Sequence, residues 1–307
     1  MTTILIALIP AVSGFGQFSL PGSDDDSMET GNSLVGMEIQ LDGSAIQPGR
    51  KAILGIRYTI KPKWHIYWRN PGESGSTTEV ELTLPEGFSA GPIQWPRPEV
   101  FRSDYDTTFG YGDKTMLFVP ITVPDKIVGS SVVIGVRSEW LVCKGICLFG
   151  EKTASIEVPV ARPGEKITYQ HDEKASDFAK YRSQLPRPIA TLPGASAGVF
   201  ETTEATVLRI QGPARKGAKI AFLPDDTPGV RYQGKIPMAA TISDGLFTLE
   251  VPLEIKPDDA TGKPLQAAGI VVFGSRRSDP VFSVTIPLPA KAERGGDSSP
   301  GSPESES

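Results

Sequence analysis

Cysteine and histidine are scarce in this sequence, with two of each among 307 residues. Zinc sites in proteins are built mainly from several such ligands, so a multi-ligand zinc protein is all but excluded. The net charge of −5 leaves no basic excess and argues against nucleic-acid binding as the main function. A metalloprotease His-Glu-x-x-His pattern and a phosphate-binding P-loop are also missing from the sequence.

Apolar runs long enough to span a membrane are missing too. The run Ile4–Val12 is shorter than the ~20 residues that a spanning helix needs, but it has the length of a signal-peptide core. We therefore expect residues 1–20 to be a signal peptide and the mature chain to have no integral membrane segment. The protein is therefore expected to be periplasmic or otherwise exported, and disulfides are stable in such oxidising compartments. Polar composition predicts a flexible lead-in at 21–33 and a disordered tail at 291–307.

Glycine and proline are abundant by contrast, at 32 and 28 residues. Frequent turn residues favour many short elements and argue against a helical bundle. Between these turns, apolar and polar residues alternate in short runs, which is the pattern of β-strands. The sequence therefore predicts an all-β protein.

The predicted strands fall into two groups, at 34–165 and 195–290. Each group has about the size of one immunoglobulin-like sandwich of ~100 residues. Between them, residues 166–194 contain a predicted helix, Asp172–Leu185, followed by a linker rich in proline and glycine. We predict two immunoglobulin-like β-sandwich domains linked by a short helix.

The two cysteines, Cys143 and Cys147, lie four positions apart. On one straight strand their Cα atoms would be ~13 Å apart, which is too far for a disulfide, since that bond needs less than ~7 Å. A turn at 144–146 removes this conflict by placing the two cysteines opposite each other, and Gly145 supplies the positive φ that such a loop favours. The spacing predicts a cross-strand disulfide at a hairpin tip.

Three roles for this pair remain open on spacing alone: a redox centre, a structural disulfide, or part of a metal site. Closing so short a ring stabilises a fold by only ~2 kcal/mol in the loop-entropy model, which weakens the structural interpretation. Lys144 would favour a thiolate at the adjacent Cys143, whereas Glu139 would oppose it.

An aromatic segment upstream alternates in the manner of a strand. Trp64 and Trp68 share one face, which we expect to be core, while His65 and Tyr67 share the other. Further on, residues 107–113 place aromatics between glycines, a composition that suits a mobile flap or an ordinary surface turn with one ring tucked in.

Four strings in this order resemble one family, the N-terminal periplasmic domain of DsbD-type thiol:disulfide interchange proteins, and in particular its ScsB-like branch. The resemblance covers roughly residues 34–160. The strings are Trp64-His65-Ile66-Tyr67-Trp68 with Asn70-Pro71-Gly72, Gly91-Pro92-Ile93-Gln94-Trp95-Pro96, Phe109-Gly110-Tyr111, and Trp140-Leu141-Val142-Cys143 with Cys147.

The resemblance implies an immunoglobulin-like domain that relays electrons by thiol–disulfide exchange without a bound cofactor. Its partners would be a membrane-embedded electron conduit of the DsbD or CcdA type and periplasmic thioredoxin-fold proteins. Since this sequence carries neither module, the relay would need separate partners. Cys143 and Cys147 would be the redox pair. The remaining site positions would be a shielding cap loop (Phe109 and Tyr111) and residues that flank the site (His65, Tyr67, Trp140 and Lys144).

Two rival functions also follow from the sequence. In one, the cysteines bind Cu(I) for copper tolerance, with His65, His171 or Met116 as a further ligand, because soft sulfur ligands suit that ion. In the other, the chain is a non-catalytic protein-binding module with a structural disulfide.

Overall fold

The computed structural model describes residues 29–172, 176–256 and 265–288. Within these residues the chain is almost entirely β-structure, as its turn-rich composition predicted. No helix in this part of the chain is long and apolar enough to cross a membrane. The predicted signal peptide and C-terminal tail lie outside the described residues.

The first sandwich consists of two facing antiparallel sheets. Its strands are β1 (Val35–Leu41), β2 (Lys51–Ile60), β3 (His65–Gly72), β4 (Glu79–Thr83), β5 (Ser89–Ala90), β6 (Glu99–Arg102), β7 (Thr107–Gly112), β8 (Lys114–Thr122), β9 (Ser131–Lys144) and β10 (Ile146–Pro159). One sheet has the order β1-β2-β8-β5. The other has the order β10-β9-β3-β7-β6, with β4 paired to the middle of β9.

The second sandwich repeats this two-sheet plan. Its strands are β11 (Arg187–Pro188), β12 (Ser196–Glu201), β13 (Thr206–Pro213), β14 (Ile220–Pro224), β15 (Val230–Tyr232), β16 (Met238–Ala239), β17 (Thr241–Ser243), β18 (Leu246–Ile255), β19 (Gln266–Phe273) and β20 (Val281–Pro287). The sheets have the orders β11-β20-β19-β14-β16 and β12-β13-β18-β15, with β17 paired to β18. Since β11 pairs with β20, strand structure begins before the predicted limit at 195.

Large aromatic side chains fill the space between the sheets of the first sandwich. Trp68 packs edge-on against Phe109, with ring centroids 6.2 Å apart, and Trp140 packs edge-on against Tyr58 at 6.0 Å. All four side chains are buried. This packing fixes the inner faces of β3 and β9, and it leaves their outer faces available for a site.

The helix between the sandwiches is shorter than predicted. Helix α2 spans Asp177–Arg182, because the Ser176 side chain accepts a hydrogen bond from the Ala179 amide and begins the helix there. Its buried ring Phe178 packs 5.5 Å from Phe118 of β8. The helix therefore covers the first sandwich. A 3-10 turn at Gln170–Asp172 precedes it. A second 3-10 turn, Ile189–Thr191, follows β11.

The end of the predicted flexible lead-in is an ordered turn. A short helix, α1, spans Gly31–Leu34 and is capped by Thr30. The Trp140 indole donates to the Gly31 carbonyl at 3.3 Å, and the Asn32 side chain accepts from the Glu151 amide at 2.7 Å. These contacts hold the segment against β9 and β10, so the prediction of flexibility was wrong for 30–33.

A buried polar joint connects the two sandwiches. The Arg97 guanidinium donates to the carbonyls of Phe273 at 2.6 Å, Gly274 at 2.7 Å and Asp279 at 3.1 Å. Arg69 pairs with Asp225 across the same boundary, with 2.7 Å between nitrogen and oxygen. Because Arg97 is almost fully buried, these bonds are shielded from water and hold the two sandwiches together.

Candidate functional site

The cysteine pair closes the β9–β10 hairpin. Cys143 and Cys147 face each other in the strand register, with Cα atoms 4.2 Å apart, and are joined by a disulfide. Gly145 at the tip has φ 75°, which glycine adopts without strain. The structure thus contains the hairpin disulfide that the four-residue spacing predicted.

The two cysteines differ in their exposure to solvent. Cys143 is buried, with 4% of its surface exposed, whereas Cys147 is exposed. Two large apolar side chains near Cys147 are exposed as well, Ile146 at 63% and Phe149 at 59%. A thiolate that approaches from solvent therefore reaches Cys147. By strand alternation Phe149 shares the face of Cys147, and Ile146 adjoins it on the opposite face.

Strand β3 brings one side chain to each cysteine. His65 stands directly opposite Cys143 in the β3–β9 register, and the Tyr67 hydroxyl lies 3.8 Å from the Cys147 sulfur. Trp64 and Trp68 point into the core, as the alternation predicted. Burial, with a smaller contribution from the Asp106 charge, raises the pKa of Tyr67, so its phenol stays protonated and is able to donate to sulfur.

Two further residues of the site lie far from the cysteines in sequence. The Phe101 ring stacks on His65, with centroids 4.2 Å apart, and the Asp106 carboxylate accepts hydrogen bonds from Ser74 and Ser103. Burial lowers the pKa of His65, and the charge of Asp106 opposes that shift. In the sequence, the only signal for Phe101 as a site residue is the alternation of polar and apolar residues in Glu99–Arg102. Asp106 has no such signal, because it resembles an ordinary acidic residue of a turn.

The predicted cap loop is wrong. Residues 107–112 form strand β7, and Phe109 and Tyr111 are fully buried on its inner face. The Tyr111 hydroxyl donates to the Pro96 carbonyl at 2.8 Å. Gly110, the glycine between these rings, serves close packing: a Cβ there would lie 2.1 Å from the Ile66 carbonyl oxygen.

The other two predicted flanking residues also lie off the cysteine face. Trp140 is buried in the core of the sandwich, because it shares the inner face of β9 with Val142. Lys144 is exposed beside the turn, and its ammonium lies 6.0 Å from the centre of the Trp64 ring. Glu139, which was expected to oppose a thiolate, is paired with Arg137.

The sequence contains two matches to the Gly-x-Ser-x-Gly pattern of hydrolases, at 87–91 and 194–198. A nucleophilic serine of that type sits on a sharp turn between a strand and a helix. Here Ser89 lies on β5 and pairs with Thr122 of β8. Ser196 begins β12 and pairs with Gln211 of β13. Both pairings are antiparallel strand contacts, so neither match has the required structural context.

Residues 37–159 match the family model described as "Thiol:disulfide interchange protein DsbD, N-terminal". This segment holds the cysteine hairpin and the strands that surround it. Residues 37–159 form a DsbD N-terminal domain. Thiol–disulfide interchange is the chemistry of that family, and the cysteine pair it requires is present.

A solved structure shares the fold over most of this chain. The N-terminal periplasmic domain of ScsB from Proteus mirabilis superposes with a TM-score of 0.53 at 15% identity, over 83% of this chain and 94% of that one. The major pilin subunit BcpA of Bacillus cereus (10% identity, 83% of this chain and 66% of that one) and Spo0M of Bacillus subtilis (12%, 83% and 90%) reach only 0.27 and 0.23. These two scores are too low to carry an argument. No curated protein matches the chain.

The copper ligands considered from the sequence are not brought together around the DsbD N-terminal domain's disulfide. His65 lies beside the cysteines, but Met116 is buried on β8 of the opposite sheet, in contact with helix α2. The side chain of His171 lies outside the described residues. Within the part of the chain that the structure describes, no cluster of three or more His, Cys, Asp or Glu side chains could hold a metal ion.

Proposed function

We propose that Cys143 and Cys147 form a thiol–disulfide exchange centre that relays electrons from a membrane-embedded reductase to periplasmic thioredoxin-fold proteins. One observation carries this proposal: of the two cysteines in the disulfide, Cys147 is exposed and Cys143 is buried. Such an arrangement suits a bond that a partner opens from one side. The proposal includes export to the periplasm through the predicted signal peptide.

The exchange proceeds through a mixed disulfide. A donor thiolate attacks the Cys147 sulfur in line with the disulfide, a new sulfur–sulfur bond forms, and Cys143 leaves as a thiolate. A second donor thiol then attacks the donor sulfur of the mixed disulfide and releases Cys147. Cys143 and Cys147 are then both reduced, and the donor carries the new disulfide. In the reverse direction Cys147 attacks an acceptor disulfide, and Cys143 resolves the mixed disulfide, so two electrons pass to the acceptor.

Exposed apolar side chains at the hairpin tip favour a protein as the exchange partner. Phe149 lies on the same face of β10 as Cys147, and Ile146 precedes that cysteine at the tip. Burial of such side chains stabilises a complex by ~25 cal/mol per Å² of apolar surface. A folded partner with an apolar surface around its own thiol would cover both side chains, whereas a small-molecule thiol would cover neither.

Single-cysteine variants test the exchange directly. A thioredoxin that retains one cysteine, activated as its mixed disulfide with thionitrobenzoate, serves as the probe. The Cys143→Ala variant, which keeps the exposed Cys147, should form the covalent complex about 100-fold faster than Cys147→Ala, since buried thiols are inert. The rate of thionitrobenzoate release measures both reactions.

Equal rates in the two variants would contradict the assigned roles, and two inert variants would favour the structural disulfide. Acid-quenched thiol trapping in producing cells tests the relay itself. The wild-type pair should shift from disulfide to dithiol when a membrane reductase is present. A pair that stays oxidised in both cases would overturn the relay.

The Tyr67 hydroxyl should stabilise a Cys147 thiolate. Hydrogen bonds to charged groups contribute about 1.5 kcal/mol or more, so Tyr67→Phe in the Cys143→Ala background should raise the thiol pKa by about one unit. The pH dependence of alkylation by iodoacetamide measures that pKa. A matched control is Tyr105→Phe, because Tyr105 is exposed on the β6–β7 turn and should leave the profile unchanged. An identical profile in Tyr67→Phe would rule out the bond.

A further inference from the structure

A buried nitrogen without a partner belongs to the residue that stands opposite the buried cysteine. His65 and Cys143 are directly opposed across β3 and β9, and side chains in that relation have Cβ atoms about 5 Å apart. The Nε2 atom of His65 is buried and has no hydrogen-bond partner in the disulfide form. A disulfide sulfur has no proton to offer, but opening the disulfide creates a thiol at this position.

The surroundings hold the imidazole ring in place. Phe101 of β6 stacks on one face at 4.2 Å, and Tyr67 of β3 packs edge-on at 5.2 Å. On β7 the residue opposite His65 is Gly112, which has no side chain, so the Phe101 ring has room to lie across the strand. The ring is therefore oriented before any reaction begins.

The charges around His65 suit a proton acceptor. Asp106, from the β6–β7 turn, is the carboxylate whose field acts on the ring, and Glu99 of β6 accepts from the Gly112 amide at 3.3 Å. The other titratable neighbours are Tyr67 and Cys143. Burial lowers the pKa of His65, so the imidazole is neutral at pH 7, while Asp106 would stabilise the imidazolium once a proton arrives.

We infer that His65 accepts the proton of Cys143 when that cysteine resolves the mixed disulfide, with Asp106 stabilising the imidazolium. This inference rests on the proposed exchange at Cys147 and assigns its second step. The Cys143 thiol gives its proton to His65, the resulting thiolate attacks the Cys147 sulfur, and the bond from Cys147 to the partner breaks. The partner leaves as a thiolate and takes up the proton from the imidazolium or from water.

The reaction of the reduced protein with excess dithiobis(nitrobenzoate) separates the two steps. Cys147 releases a first thionitrobenzoate in a step that depends on reagent concentration, and Cys143 releases the second in a ring closure that does not. The His65→Gln variant should keep the first step and slow ring closure about 100-fold at pH 7. Its closure rate should rise about tenfold per pH unit toward the ordinary thiol pKa of ~8.5, whereas wild type should be nearly flat above pH 7.

Ring closure that is unchanged in His65→Gln, or slowed equally at every pH, would overturn this role for His65 and leave exchange at Cys147 standing. Absence of the first step in wild type would instead overturn the proposed function. The Gln side chain is close in size to the imidazole, and recovery of the disulfide in the variant checks that the hairpin still folds.

The wild-type protein offers a second measurement that needs no variant. Because the chain has two histidines, the imidazole Hε1 signals of His65 and His171 can be followed by NMR during a pH titration. If His65 shares a proton with Cys143, reduction of the disulfide should move the titration midpoint of His65 to higher pH, and that of His171 should stay. Identical midpoints for His65 in the disulfide and dithiol forms would contradict the inference.

Discussion

Replacement of Arg97 by methionine should cost about 3 kcal/mol of stability and separate the unfolding of the two sandwiches. Methionine fills a similar volume, but it leaves the carbonyls of Phe273, Gly274 and Asp279 without the donor that bonds them in the native protein. These oxygens would then be buried or newly hydrated at the joint. The apolar contacts that remain between the sandwiches should not keep their unfolding cooperative.

Tryptophan fluorescence gives a selective measurement of this effect. The four tryptophans of the chain, Trp64, Trp68, Trp95 and Trp140, all lie in the first sandwich. In the Arg97→Met variant, urea unfolding followed by fluorescence should no longer coincide with unfolding followed by far-UV circular dichroism, which reports both sandwiches. Arg102→Met is the control, since Arg102 is exposed on β6. Coincident transitions with an unchanged midpoint would show that Arg97 does not hold the joint.

Replacement of Gly110 by alanine should destabilise the first sandwich by about 3 kcal/mol. The new methyl group would lie 2.1 Å from the Ile66 carbonyl oxygen, so β7 would have to move away from β3. That movement would also displace Tyr67, the direct cross-strand partner of Gly110. The free energy of urea unfolding measures the loss.

Gly112→Ala provides the matched control two residues along the same strand. A Cβ at Gly112 meets atoms no closer than 3.7 Å, which is ordinary contact, so the change should stay within about 1 kcal/mol. Equal effects of the two substitutions would mean that β7 does not approach β3 as described. It would also reopen the question of whether 107–112 is a strand.

The parts of the site that depend on local chemistry were predictable from the sequence. The disulfide follows from a four-residue spacing and one glycine, and the division of β3 into two faces follows from the period of a strand. The buried and exposed environments of Cys143 and Cys147 were not predictable, because they depend on which strands and loops cover each sulfur. The fold class was confirmed because alternation and turn residues recur throughout the chain.

The errors arose where one pattern serves two structures. Glycines flanking Phe109 and Tyr111 are typical of a turn, but here Gly110 allows two strand backbones to approach closely. Phe101 and Asp106 reach His65 only through the pairing of β6 with β7, and nothing near His65 in the sequence indicates it. The domain limits and the catalytic roles of the cysteines remain predictions.

The interdomain joint has a consequence for how the chain can evolve. Arg97 contacts carbonyl oxygens of the second sandwich, and a carbonyl oxygen is the same whichever side chain its residue carries. Most side chains of the second sandwich at this junction can therefore change without loss of these bonds. Selection that maintains these bonds falls mainly on the codon of Arg97 in the first sandwich, whereas the Arg69–Asp225 ion pair constrains a side chain in each.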